Sequence, residues 1–75
     1  MSKMKLRDLL AVIEICANFD FKFYDDNYIN IDFCSNPANT DELSDFCDNS
    51  HWFNLDSSVS SFEIERDVIY VYLEV

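Results

Sequence analysis

Seventy-five residues make one domain, residues 1–75, and a chain of this size buries only about 60% of its unfolded surface, so its stability margin is thin. A hydrophobic fraction of 49% with 16% aromatics exceeds what a disordered segment carries. The balance of 5 Lys and Arg against 15 Asp and Glu, a formal charge of −10, excludes binding by phosphate neutralisation and adhesion to anionic lipid.

In chain order, Leu6, Leu9, Leu10, Ile13 and Ala17 fall on one face of an amphipathic helix over Met4–Ala17, with Ser2 as its cap. Strict alternation follows. Phe19, Phe21 and Phe23 point one way, and after Asp25-Asp26-Asn27 so do Ile29, Ile31 and Phe33. A three-residue loop sets Phe23 opposite Ile29, Phe21 opposite Ile31 and Phe19 opposite Phe33, and keeps the apolar set on one face. Asp20 and Asp32 then lie across from each other on the polar face. The chain has no Gly, so Asn27 is expected at the left-handed turn position.

Asn36-Pro37 breaks the second strand, and Asn36 or Thr40 caps a short helix between Ala38 and Asp48, carried by Leu43, Phe46 and Cys47. Phe62 and Ile64 next alternate with Glu63 and Glu65, and beyond Arg66-Asp67 the run Val68–Val75 is dense in β-formers. Ile64 opposite Ile69 and Phe62 opposite Val71 make a consistent second hairpin, with Val68, Tyr70 and Tyr72 on its other face. The expected fold is α+β with two layers: an antiparallel sheet of about four strands, one long and one short helix on one face, in the order α-β-β-α-β-β.

No apolar run approaches the roughly 18 to 20 residues of a membrane span and no signal-peptide core follows Lys3, Lys5 and Arg7, so a cytoplasmic protein is expected. Cys16, Cys34 and Cys47, with His51, number four metal-ligand types but contain no C-x-x-C pair. They are expected to be packed thiols and a loop histidine, with no metal and no cofactor. Without Gly there is no phosphate-cradling loop, and no base adjoins a nucleophile in a usable arrangement, so no enzymatic activity is expected.

The charge is unevenly placed. Residues 1–7 carry three cations and no acid, whereas residues 23–65 contain ten acids and no Lys or Arg. Asp41, Asp45 and Asp48 fall one turn apart on one helix face, where like charges repel. Asp25 and Asp26 crowd the hairpin turn, and Asp32 lies on the second strand. Carboxylates spaced by about 5 to 7 Å on helix and strand suit a Lys/Arg groove that tracks a nucleic-acid backbone. The candidate partner-binding residues are Asp25, Asp26, Tyr28, Asp32, Asp41, Glu42, Asp45 and Asp48. Tyr24, Tyr28, Tyr70, Tyr72 and Trp52 are candidate anchors on polar faces.

Lys5–Ile13 (KLRDLLAVI), Phe23–Tyr28 (FYDDNY) and Val68–Val75 (VIYVYLEV) together resemble small proteins of phages and mobile elements, in which a short helix precedes a strand, an acidic turn and a β-rich C-terminus. Acidic proteins of this size from phages include anti-CRISPR inhibitors and other DNA mimics. The resemblance implies a non-enzymatic inhibitor in the host cytoplasm that occupies the basic groove of a nucleic-acid-handling protein, a CRISPR effector being its most concrete form. It assigns no role to any residue. The alternatives are a structural protein that homodimerises through Val68, Tyr70 and Tyr72, its acidic surface serving solubility, and a small zinc-binding module.

Overall fold

The computed structural model describes residues 4–13 and 18–75. Its elements are β1 (Met4–Lys5), α1 (Leu6–Val12), β2 (Asp20–Tyr24), β3 (Asn30–Cys34), α2 (Thr40–Asp48), β4 (Ser58–Glu65) and β5 (Val68–Leu73). They form an α+β fold on a five-stranded sheet of order β1-β4-β5-β2-β3. The expectation of an antiparallel sheet of about four strands is corrected in two respects. Met4–Lys5 adds a strand against β4, and β2 runs parallel to β5, so the sheet is mixed. Alternation identifies the strands within a hairpin but carries no information on how two hairpins join, and the parallel seam was out of its reach.

The C-terminal hairpin follows its side chains. Ile64 pairs with Ile69 and Phe62 with Val71, as the alternation requires. Arg66-Asp67 closes it as a two-residue turn with φ 56° at Arg66, the left-handed value that primed turns demand at their first position and that Gly usually supplies. A left-handed residue with a Cβ costs about 1–2 kcal/mol. Arg66→Gly relieves that cost, less the roughly 0.5–1 kcal/mol of extra chain entropy that Gly loses on folding. The variant is expected to melt a few degrees above the parent in a thermal unfolding scan; an unchanged or lower melting temperature would show the turn to be unstrained.

The N-terminal hairpin departs from expectation. Tyr24 pairs with Asn30, but Phe23 pairs with Asp32, Lys22 with Phe33 and Phe21 with Cys34, with a register shift at Phe23/Tyr24. Ile31 is the additional residue on β3, a bulge. The anticipated pairs Phe23–Ile29, Phe21–Ile31 and Phe19–Phe33 do not form. The loop is longer than three residues because one side chain organises it: Asp25 Oδ1 accepts from the Asn27 and Ile29 amides at 2.8 and 3.0 Å, and the Asp25 amide donates to the Ile29 carbonyl at 3.0 Å. Tyr28, rather than Asn27, takes the left-handed conformation, at φ 63°. Beyond the bulge, Cys34 faces the core, while Ile29 and Phe33 are 61% and 44% exposed. Ile31 alone of that trio still packs against the core.

Helix α1 begins at Leu6, two residues later than the periodicity implies, because the segment before β4 dictates its start. The Leu6 and Arg7 amides donate to the Ser57 and Leu55 carbonyls at 2.8 and 2.9 Å, and the Lys5 amide donates to Asp8 Oδ2. These bonds satisfy donors that a helix leaves open at its N-terminus. Val12 ends the helix and Ile13 is extended (φ −85°, ψ 114°). The expected long helix over Met4–Ala17 is thus corrected: Met4–Lys5 is strand, Ile13 has left the helix, and α1, with 7 residues, is shorter than α2, with 9; residues 14–17, the cap at Ser2 and the thiol of Cys16 lie outside the described residues. In α2 the cap is Asn39, neither Asn36 nor Thr40. Its Oδ1 accepts from the Glu42 amide at 2.8 Å, and the Glu42 carboxylate accepts from the Ala38 amide, a reciprocal arrangement. Asn36 instead takes φ 40° in the turn that leaves β3.

Both helices cover the same sheet face. Leu6, Leu9, Leu10, Leu43, Cys47 and Phe53 close over Phe21, Phe23, Ile69, Val71 and Leu73. Phe23 is the hub, with ring centroids 4.6 Å from Phe53, 6.0 Å from Phe46 and 6.4 Å from Phe21. Lys5 and Arg7 both reach Asp56, at 4.0 and 2.9 Å, tying the N-terminal segment to the loop that caps α1.

Candidate functional site

The eight predicted binding residues fall in three places. Asp25, Asp26 and Tyr28 occupy the β2–β3 loop. Glu42 and Asp45, with Asp32, Phe46, Asn49, Ser50 and His51, line an open concavity of about 490 Å³ beside α2. Asp41 and Asp48 are exposed on α2 outside that concavity. Thus the row that borders the concavity is Glu42–Asp45–Asn49, a different stripe of α2 from the Asp41–Asp45–Asp48 row. The only ion pairs among the described residues join Lys5 and Arg7 to Asp56. Among the described residues, the acids of α2 and of the hairpin loop form no ion pair with Lys or Arg.

Asp32 is the residue the bulge relocates. It shares the face of Phe23, on the helix side, rather than lying across from Asp20 on the polar side. There its Oδ2 accepts from Ser50 Oγ at 2.6 Å, and Ser50 Oγ in turn accepts from the Trp52 amide at 3.2 Å. Asp32 therefore clamps the segment after α2 to β3. Asp20 remains on the other face, accepting from Ser35 Oγ and the Asn36 amide, both at 3.2 Å.

The sheet's other face carries a cluster of tyrosine rings. The parallel register sets Lys22 beside Tyr70 and Tyr24 beside Tyr72, and the antiparallel one sets Glu63 beside Tyr70, Ser61 beside Tyr72 and Glu65 beside Val68. Tyr24 lies 6.1 Å from Tyr70 and 5.4 Å from Tyr72, and Tyr28 stands edge-on to Tyr72 at 5.4 Å. All four tyrosines of the chain meet on this surface. Lys22 Nζ sits 5.9 Å from the Tyr70 centroid, within range of a cation–π contact. Burial among the rings, then the charge of Glu63 and the neighbouring phenols, hold the Tyr72 phenol above its ordinary value. The sequence names each tyrosine as an anchor candidate. Their convergence depends on the β2–β5 seam, which alternation does not report.

Of the metal-ligand types, Cys34 and Cys47 are buried free thiols, His51 is exposed, and the described residues contain no group of three or more His, Cys, Asp or Glu able to hold an ion. Burial, reinforced by the charge of Cys34 and Asp32, pushes the Cys47 thiol up from 9.0 to about 12. Folding therefore favours the protonated thiol. The contribution is fully present below pH 9, where both states are protonated, and is lost between about pH 9 and 12 as only the unfolded chain ionises. Over that interval the parent is expected to lose stability faster than Cys47→Ala, by about 1.4 kcal/mol per pH unit, in denaturant titrations at a series of alkaline pH values. Parallel slopes for the two proteins would contradict it.

No helix among the described residues is long and apolar enough to cross a membrane. Comparison with protein-family models, with curated proteins and with solved structures returned no match.

Proposed function

We propose that this protein is a non-enzymatic binding module that occupies the basic, nucleic-acid-binding cleft of another protein, in the manner of the phage-type inhibitors its sequence resembles. One observation carries this reading. The acids of the hairpin loop and of α2 (Asp25, Asp26, Asp41, Glu42, Asp45 and Asp48) have no cationic partner among the described residues, in a chain with charge −10. Unpaired charge of this size works against compactness in a small domain, and a surface of Lys and Arg relieves it on binding. Acids also lie on both broad sides of the sheet, with α2 on one and Glu63 and Glu65 on the other. A body with principal extents of 30 × 23 × 20 Å thus presents negative charge to both walls of a cleft. Association should be fast and salt-sensitive, and it blocks by occupancy.

The test is affinity capture from host lysate at low and high salt, with the parent and an Asp41→Lys/Asp45→Lys/Asp48→Lys variant as baits. The expected result is a basic nucleic-acid-binding protein held by the parent at low salt, released by high salt, and lost from the variant. Capture that ignores both salt and the substitutions would refute the reading.

A further inference from the structure

We infer that the tyrosine face of the sheet is the docking surface for an extended, arginine-bearing segment of the partner, an inference that rests on the functional reading above and names the chemistry it uses. The face is uncovered by either described helix, since both pack on the opposite side, and four phenol rings gather there with Phe33 exposed beside them. Aromatic rings on an open sheet often stack nucleic-acid bases, but Glu63 beside Tyr70 and Glu65 beside Val68 place carboxylates among the rings, where a phosphate backbone would be repelled. A second copy of this chain would bring two carboxylates, Glu63 and Glu65, for each Lys22, leaving an excess of like charge across the interface. A cation fits instead, and Lys22 already lies over the Tyr70 ring.

Arginine meets this combination better than lysine. Its planar guanidinium stacks on a phenol ring while its edge donates in pairs to a carboxylate, and Glu63 directly beside Tyr70 supplies that geometry. Tyr70 and Tyr72 are two residues apart on one strand, about 6–7 Å, which equals the repeat of alternate side chains along an extended segment. A segment with Arg at every second position lays successive guanidinium groups over successive rings.

The experiment titrates the full chain with two short fluorescent peptides of equal charge, one alternating Arg with Ser and the other Lys with Ser. The Arg peptide is expected to bind about 5-fold or more tightly than the Lys peptide. Tyr70→Leu and Tyr72→Leu should each weaken it about 3- to 30-fold, whereas Tyr72→Phe, which keeps the π face, should bind within about twofold of the parent. Amide shift perturbations in the unmutated protein provide a readout independent of any variant's folding, and they are expected at Tyr24, Lys22, Glu63, Tyr70 and Tyr72 rather than along α2. Equal affinity for the two peptides, or perturbations confined to α2, would overturn the tyrosine site and leave the acidic reading standing. Failure of both peptides to bind at low salt would likewise overturn the tyrosine site, and the acidic reading is then decided by the capture experiment alone. A dimer in sedimentation that Tyr72→Leu dissolves would show the face to be a self-association surface and overturn the inference.

Discussion

Phe23→Ala is expected to lower the melting temperature by at least about 15 °C and to erase near-ultraviolet aromatic ellipticity well before that of the parent. Phe23 has no exposed surface and sits among Phe21, Phe46 and Phe53, so its removal leaves a cavity bounded by β2, α2 and the loop after it. Phe→Ala in such a setting costs about 3–5 kcal/mol. A chain of this length has only about 4–11 kcal/mol to lose, at 0.05–0.15 kcal/mol per residue, and each kcal/mol moves the transition by about 4–8 °C. Val12→Ala provides the contrast, since Val12 is 68% exposed and should change stability by no more than about 0.5 kcal/mol. A melting temperature within a few degrees of the parent for Phe23→Ala would show that this ring cluster does not organise the core.

The second large effect falls on binding and spares stability. Reversing Asp41, Asp45 and Asp48 to Lys changes the formal charge from −10 to −4, two units per substitution. Folding stability should stay within about 1 kcal/mol of the parent. All three side chains are exposed. The three positions stay like-charged after reversal, and Asp48→Lys places a cation in the last turn of α2, which offsets the loss of a favourable acid in the first turn at Asp41. Association with the basic partner should fall about 100-fold, because each reversal replaces an attraction with a repulsion against a Lys/Arg wall. The slope of log affinity against log salt should flatten at the same time. Isothermal titration at several salt concentrations reads both quantities, and an unchanged slope would place α2 outside the interface.

What the sequence discloses, and what it withholds, divides along the range of the interactions. The β4–β5 pairing is legible because a two-residue turn and β-branched alternation leave one register, and α2 is legible from its apolar stripe. The β2–β3 register is not, because Asp25 builds a longer loop and Ile31 bulges; the same slip carries Asp32 from the polar face to the side of Phe23. Likewise the strand at Met4–Lys5 and the start of α1 come from residues 55–59, some fifty positions away, which no local pattern reports. Among the site residues, the acids are read from their uneven placement and their helical spacing, yet only the structure separates the Glu42–Asp45 stripe at the concavity from Asp41 and Asp48. The tyrosines appear as scattered anchors until the parallel seam between β2 and β5 assembles them.

A competition experiment addresses the core of this account. With the partner identified by capture, labelled nucleic acid is bound to it and this protein is added in increasing amounts at two salt concentrations. Displacement is expected to reach completion at one protein per site, with the required concentration rising steeply with salt. A stable ternary complex, in which nucleic acid and this protein sit together on the partner, would contradict it.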